Sequence, residues 1–285
     1  HRTKIYTLKT MARNDLDKTE APIHAFVANG DFKIGGGSKS SCVYFGVMKD
    51  GSEVAVKRIL QTCKEIAENE EKILRLVDST KSPYIVSYRH CLRDDFFIYL
   101  IVDLCEETLV EYVSLQTIEY VQQYGPKMIK EILTGLQFLH GKGILHRDLK
   151  PTNVLVDVQG HMRLADFGIS RVLNEDETTV ETETYGTKGW MPEEVVKAIK
   201  SGEKSRFKKK SDVQVAGMIA FFILTKGDHH FGSPLERMQN IVNGKPVNLK
   251  KLDDRKARKF VSWLICRKID DRPYTDEALK HSFLQ

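Results

Sequence analysis

The chain changes texture near Leu104. Residues 26 to 104 read as short strands. Phe32-Lys33-Ile34 leads into Gly35-Gly36-Gly37, and Val43-Tyr44-Phe45-Gly46-Val47 follows. Lys49-Asp50-Gly51-Ser52 carries the Asp-Gly of a hairpin, and residues 53–59 form the next strand. One helix interrupts the sheet at 63–76, where Ile66, Ile73, Leu74 and Val77 fall at helical spacing. Residues 85–88 and 96–102 read as two more strands. Beyond Leu104, the stretches 108–114, 124–141, 211–225, 235–243 and 256–267 all read as helices. A sheet-rich part followed by a helix-rich part predicts a two-lobed α+β fold. The expected division is a small β-rich N-lobe at 26–104 and a larger helical C-lobe at 105–285. Residues 1–25 are polar and without clear periodicity, and are read as a flexible arm or linker.

Apolar and charged fractions of 41% and 29% argue against gross disorder. The 44 basic and 39 acidic residues leave a formal charge of +5, too small to imply nucleic acid without a localised patch. Lys204 to Lys210 holds five cations, but only Phe207 is interleaved with them, so a solvated loop is favoured over RNA contacts. The five cysteines form no Cys-x-x-Cys pair, which points away from a zinc site or disulfide framework and towards a reducing compartment. The longest apolar run, 215–224, is far short of the roughly 20 residues that span a bilayer. A buried helix and a cytoplasmic location are expected. The chain opens with His1 rather than Met, as a fragment of a longer protein would.

The chemistry concentrates in Ile144-Leu145-His146-Arg147-Asp148-Leu149-Lys150-Pro151-Thr152-Asn153, followed thirteen residues later by Asp166-Phe167-Gly168. A carboxylate, a lysine and a carboxamide stand at offsets of zero, two and five. That order suits phosphoryl transfer, which needs a base for the attacking hydroxyl, a cation for the moving phosphate and oxygen ligands for Mg²⁺. Asp148 is the candidate proton acceptor and Lys150 the candidate cation. Asn153 and Asp166 are the candidate Mg²⁺ ligands, through hard oxygens. Arg147 is a candidate dock for a phosphorylated loop. His146 is read as a packed support of the loop, with no proton-transfer role.

Upstream, Gly35, Gly36 and Gly37 would let backbone N–H groups approach phosphate oxygens. Alone, such a turn fits any hairpin; its place ahead of Val54-Ala55-Val56-Lys57 strengthens it. Lys57 could be an ordinary solvated strand lysine. The sharper reading makes it a phosphate grip oriented by a carboxylate on the next helix. Glu70 is the best partner because it shares a helix with inward-facing Ile73 and Leu74. The segment 169–185 is acidic and threonine-rich. It reads either as a solvated loop or as a loop phosphorylated at Thr178, Thr179, Thr182 or Thr184.

His-Arg-Asp with its Asn, then Asp-Phe-Gly, resembles the signature of eukaryotic protein kinases. The resemblance runs from about Phe26 to Phe283. Within that family the chain is similar to the inositol-requiring ER stress sensors, which are kinase/endoribonucleases, and more distantly to ribonuclease L. The Gly-rich loop with one extra residue before Val43-Tyr44 supports this, as does Val54-Ala55-Val56-Lys57-Arg58-Ile59-Leu60. So do Asp103-Leu104-Cys105-Glu106-Glu107-Thr108-Leu109, Gly186-Thr187-Lys188-Gly189-Trp190 and His230-Phe231-Gly232. The resemblance implies a bilobal protein-kinase-like fold and ATP and Mg²⁺ as cofactors. It also implies Ser/Thr trans-autophosphorylation of a protein substrate by a homodimer. Nucleotide contacts would come from Gly35, Gly37, Val43, Ala55 and Lys57. Val102 would gate the adenine pocket, and backbone from Asp103 to Cys105 would bind adenine. Lys150 with Thr187 downstream favours serine or threonine as acceptor.

Three departures stand out. Trp190-Met191-Pro192-Glu193-Glu194 is one residue short of the usual Ala-Pro-Glu spacing, so either Glu193 or Glu194 could pair with Arg272. Threonines stand where relatives hold a serine cluster. The chain stops at Gln285, where the relatives' nuclease domain would begin, so RNA cleavage is not carried over. A membrane span ahead of His1 would place the domain on the cytosolic face of the ER. The rival expectation is a nucleotide-sensing scaffold that controls dimerisation with little turnover; Ser40 and the altered Pro-Glu spacing are its support.

Overall fold

The computed structural model describes residues 1–11, 16, 22–36, 41–77, 82–174, 177–182 and 186–285. The chain divides into two compact units, His1–Lys81 with Val86–Glu106, and Ser82–Ile85 with Glu107–Gln285. The first is a β-rich unit with α1 (Arg2–Thr10), β1 (Ile23–Phe26), β2 (Lys33–Gly36), β3 (Ser41–Met48), β4 (Glu53–Leu60), α2 (Lys64–Leu76), β5 (Tyr88–Arg93) and β6 (Phe97–Asp103). The second is mainly helical. It holds β7 (Glu107–Thr108), α3 (Leu109–Leu115), α4 (Ile118–Gly141), β8 (Ile144–Leu145), β9 (Val154–Val156), β10 (Met162–Leu164), β11 (Arg171–Val172) and β12 (Val180–Thr182). It continues with α5 (Glu193–Ser201), β13 (Ser205–Phe207), α6 (Lys209–Leu224), α7 (Pro234–Asn243), α8 (Arg255–Leu264) and α9 (Thr275–Ala278).

In the first unit the sheet runs β1-β3-β4-β6-β5, with β2 also paired to β3. Strand alternation sorts its side chains onto two faces. Tyr44, Val54, Val56 and Ile101 pack with Ile23 and Phe26 on one face. Ile59, Ile98 and Leu100 pack on the other against Ala67 of α2. Helix α2 buries Ala67, Glu70, Glu71, Ile73 and Leu74, a stripe at helical spacing. Ile66, one of the residues at helical spacing, is 44% exposed, and the small Ala67 packs on the sheet. The strand expected at 85–88 begins later, at Tyr88; Ile85 makes only an isolated bridge to Leu164.

The stretch read from sequence as a loose arm carries ordered elements. Residues 2–10 form α1, whose Ile5 and Leu8 pack on Ala25, Val27, Phe32, Phe45 and Val47. Arg2 bonds Glu53 and Glu106, and Lys9 bonds Glu53. Burying two such side chains stabilises by about 3–6 kcal/mol. An isolated nine-residue helix would not hold on its own. The helix therefore depends on tertiary contacts, which two apolar residues in a polar run do not announce.

In the second unit, α6 is buried at every residue from Ser211 to Leu224 and packs on α4. Its lack of a polar face marks a central helix rather than a surface one. Gly135 lets α4 approach the 82–85 segment closely, since a Cβ there would lie 2.9 Å from the Tyr84 carbonyl oxygen. Strands β9 and β10 form a hairpin, extended by β7. Thr108 and Glu111 form a reciprocal cap at the start of α3. Helices α5 and α9 were not read from the sequence. Among the described residues no helix is long and apolar enough to cross a membrane.

Candidate active site

In the β-rich unit, the antiparallel register sets Val43 opposite Lys57, and Ala55 opposite Val102. Directly opposed residues share a face, so Val43, Ala55, Lys57 and Val102 lie on the side of the sheet that α2 covers. Lys57 Nζ donates to both Glu70 oxygens, at 2.9 and 2.7 Å. The pair is well shielded, with side-chain exposures of 17% and 6%. Glu71, one residue on, is taken by Arg75 and Arg93 instead. Gly35 pairs with Val43, and a Cβ there would meet only Val43 atoms at 3.8 Å or more. Among the described residues, packing therefore does not demand a glycine at that position. Gly37 and Ser40 lie outside the described residues. Of the expected adenine contacts, the Asp103 N–H is given to Ser87 O, and the Asp103 carboxylate is bonded by Arg89. Cys105 is buried.

In the helical unit, Asp148 is the hub of a compact polar group. Its Oδ1 accepts from Thr187 Oγ1 at 2.8 Å. Its Oδ2 accepts from Lys150 Nζ at 2.7 Å and from Asn153 Nδ2 at 3.1 Å. Lys150 Nζ also donates to Thr187 Oγ1 at 2.7 Å, which closes a three-membered ring. Asn153 Nδ2 further donates to the Asp148 backbone carbonyl at 2.8 Å. Both of these Asn153 bonds use the amide nitrogen, so the carboxamide is oriented without committing its oxygen. The Ala165 N–H donates to Asn153 O, continuing the β9–β10 ladder and bringing the candidate ligands Asn153 and Asp166 onto adjacent backbone.

Two residues here carry positive φ without being glycine: Arg147 at 69° and Asp166 at 66°. Such a conformation is strained for an L-residue and needs outside support. Asp212, at the head of α6, supplies it. Its Oδ1 accepts the Arg147 N–H and its Oδ2 the His146 N–H, both at 3.0 Å, and His140 Nε2 also contacts Oδ2. The sequence reading passed over Asp212. Its one signal was a carboxylate at the head of a largely apolar helix, where it cannot stay buried without donors.

His146 is fully buried. Its Nδ1 accepts from the Asp148 N–H while its Nε2 donates to Ala165 O, the pattern of a neutral ring. Burial holds its pKa below the usual imidazole value against the pull of Asp212, Asp148 and Asp166. Its ring rests on Phe167, and Ser170 Oγ donates to its carbonyl. His146 therefore ties the 146–153 segment to 166–170 through packing and hydrogen bonds.

Arg147, the candidate dock for a phosphorylated loop, is 5% exposed, and its Nη1 donates to Ile169 O. The left-handed backbone turns it inward. The choice between two glutamates is settled: Arg272 makes a paired contact with Glu194 at 3.0 and 2.9 Å, and Glu193 bonds Arg267 and Lys197. Phe207, the aromatic within the basic stretch, is buried, and Lys210 is bonded to Asp270 O. Thr184 and the side chain of Thr182 lie outside the described residues.

The donor set suits Mg²⁺. Asn153 and Asp166 offer two hard oxygens, and no cluster of three or more His, Cys, Asp or Glu able to hold a metal occurs among the described residues. Mg²⁺ is typically held this way, by one or two protein oxygens with phosphates and water completing the shell.

A β-rich unit and a mainly helical unit make up a protein-kinase fold, and the protein kinase domain family matches residues 29–284. The chain belongs to the protein kinase family. It is 34% identical over 232 residues to the serine/threonine-protein kinase/endoribonuclease IRE1 of Oryza sativa subsp. japonica, covering 74% of this chain and 25% of that protein. It is 30% identical over 262 residues to the serine/threonine-protein kinase/endoribonuclease IRE2 of Homo sapiens, covering 88% and 28%. It is 30% identical over 239 residues to the "Sensor for unfolded proteins in the ER ire1" of Schizosaccharomyces pombe, covering 74% and 22%. The chain spans about a quarter of the length of these curated relatives.

Proposed function

We propose that this chain transfers the γ-phosphoryl group of ATP to serine and threonine hydroxyls, including those of segment 169–185 in a second copy of itself. The observation that carries the reading is the Asp148 group. A carboxylate fixed by Thr187 and Asn153, beside an ammonium at 2.7 Å, is built to receive a proton next to developing phosphate charge. In this reading Asp148 takes the proton of the acceptor hydroxyl, a step typically worth about 10²–10⁴-fold. Lys150 neutralises the moving phosphate. Lys57, held by Glu70, binds the α- and β-phosphates, and Val43, Ala55 and Val102 line the adenine side. Asn153 and Asp166 hold Mg²⁺, which when bound neutralises phosphate charge. The Asp103–Cys105 backbone supplies the remaining adenine contacts.

Self-association follows from trans-transfer, since loop and base then belong to different copies. The name of the fission yeast relative suggests the ER as the setting in which this domain works. The scaffold alternative draws less support than its sequence basis promised. The shortened spacing at Trp190–Glu194 still delivers a carboxylate to Arg272.

The test is incubation of the purified chain with labelled ATP and Mg²⁺, with phosphothreonine and phosphoserine mapped by mass spectrometry. Asp148→Asn should lower incorporation by at least about 10²-fold while nucleotide still raises the melting temperature. Undiminished incorporation by that variant would remove Asp148 from its role. Thermal stabilisation without incorporation by the unaltered chain would favour the scaffold.

A further inference from the structure

Strand β4 is gripped by two different helices on one face of the sheet. Its alternate residues Glu53, Ala55 and Lys57 point to the same side. Lys57 is held by Glu70 of α2, and Glu53 by Arg2 and Lys9 of α1. On the neighbouring strand, Val47 stands opposite Glu53, Phe45 opposite Ala55 and Val43 opposite Lys57. Phe45 and Val47 pack with Ile5 and Leu8 of α1, whereas Ile59, Ile98 and Leu100 pack with Ala67 of α2. Val43, Ala55 and Val102, assigned above to the nucleotide, thus fall between two helices that share one sheet face.

Helix α1 also reaches the backbone that flanks those residues. Its apolar cluster takes in Ile34, one residue before Gly35, and Phe45, two residues after Val43. It also takes in Leu104, between Asp103 and Cys105. Arg2 joins Glu53 to Glu106, at 2.7 and 2.9 Å, so one guanidinium bridges the start of β4 and the segment after β6. Among the described residues, Lys9 pairs with Glu53 alone. Adenine seated on Ala55 and Val102, and bonded by the 103–105 backbone, needs that backbone held at a fixed distance from β4. The β4–β6 ladder supplies this as far as Val54 and Asp103, its last pair. Beyond the ladder, α1 contacts both Leu104 and Glu106.

We propose that α1 is part of the nucleotide site: it braces segment 104–106 against β4, with Arg2 as the positioning residue. The inference rests on the assignment of Val43, Ala55, Val102 and the 103–105 backbone to the nucleotide. Arg2 touches neither adenine nor phosphate in this role. A braced segment does not have to be ordered when the ligand arrives, so docked α1 raises affinity. By linkage, bound nucleotide raises the docking of α1 by the same factor. The phosphate grip belongs to Lys57 and Glu70, on the side of the other helix, so the effect of α1 falls on the adenine.

The test titrates ADP with Mg²⁺ into the full chain by calorimetry, and adenosine by thermal shift. Ile5→Asp, which undocks α1, should weaken ADP by at least about fivefold, the lower end of ordinary coupling between sites. Arg2→Ala removes a largely exposed bridge and should weaken ADP by about two- to fivefold. Lys9→Ala breaks an ion pair to the same Glu53 without touching Glu106, and should leave the affinity unchanged. Adenosine should lose as much as ADP, since it lacks only the phosphates. In the unaltered chain, saturating ADP should slow amide exchange across 2–10 by the factor that Ile5→Asp loses in affinity. That readout needs no variant to fold. Equal affinities of Arg2→Ala and Lys9→Ala would overturn the proposal. So would adenosine binding that ignores Ile5→Asp, tighter binding by that variant, or exchange in α1 indifferent to ADP. A chain that binds neither ADP nor adenosine would count against the nucleotide reading itself, and the proposal would fall with it.

Discussion

Thr187 offers the sharpest probe of the Asp148 group, because one hydroxyl serves two charged partners. It donates to Asp148 Oδ1 at 2.8 Å and accepts from Lys150 Nζ at 2.7 Å. Thr187→Val keeps the branched shape and deletes only those bonds. Hydrogen bonds to charged groups are worth about 1.5–3 kcal/mol each. Water reaches the site in part, since the Asp148 and Lys150 side chains are 12% and 19% exposed. The net loss should therefore be nearer one bond than two, about 1.5–3 kcal/mol. If the group acts in the transition state, kcat falls by about 10- to 150-fold. The KM for ATP should change little, because Thr187 orients the acceptor side. Thr187→Ser, which retains the hydroxyl, should stay within about threefold of the parent. The assay is initial-rate transfer to a threonine peptide over a range of ATP and peptide concentrations, with urea melts to verify folding. A Thr187→Val enzyme within twofold of the parent would refute the reasoning, as would a serine variant equally impaired.

Two further outcomes follow from the ion pairs and buried histidines. Arg272→Ala removes a fully buried guanidinium from Glu194 and three backbone carbonyls, and should cost about 3–5 kcal/mol. Arg267→Ala, at a 58% exposed side chain whose partner Glu193 keeps Lys197, should cost no more than about 1 kcal/mol. Trp190 and Trp263 both lie in the helical unit, so its urea midpoint can be read by fluorescence; equal costs would contradict the assignment. Burial, reinforced by Arg237, pushes the His229 pKa down from 6.5 to about 3. The folded state therefore keeps this ring neutral while the unfolded chain protonates below 6.5. Its contribution is intact above that pH and is lost progressively as pH falls towards 3. At pH 5.5 the loss is on the order of 1 kcal/mol from His229 alone. Burial of His230 and His146 acts in the same direction. A helical-unit midpoint that stays flat between pH 7 and 5 would contradict this.

The features legible in the sequence are those that depend on local spacing. Asp148, Lys150 and Asn153 fall within six residues, so the geometry that joins them needs only one loop. Glu70 was readable because its helix is amphipathic and it shares the buried side with Ile73 and Leu74. The illegible features are set by chain segments far apart. Asp212 lies 64 residues beyond Asp148, and no local pattern links the two. Whether Glu193 or Glu194 meets Arg272 depends on the phase of α5, a helix that the sequence did not reveal. The inward turn of Arg147 follows from a positive φ that no residue type there foretells. Helix α1 depends on the sheet it covers, and its own nine residues hold too few apolar positions to declare it.

Those unreadable features share a cause. The segment 146–166 contains two strained non-glycine residues, each costing about 1–3 kcal/mol. Strain persists only where neighbours over-determine the backbone. At Arg147 they do, through two hydrogen bonds to a buried carboxylate on the central helix. At Asp166 the flanking residues are fixed: Ala165 by Asn153 and His146, and Ser170 by His146. Two such bonds to a charged acceptor, at about 1.5–3 kcal/mol each, outweigh the strain at Arg147. Asp212 thus holds the backbone at 146–147, and the Asp148 carboxylate is fixed in turn by Thr187, Lys150 and Asn153. Asp212 and His146 thereby offset the backbone strain that positions the candidate base and the candidate metal ligand.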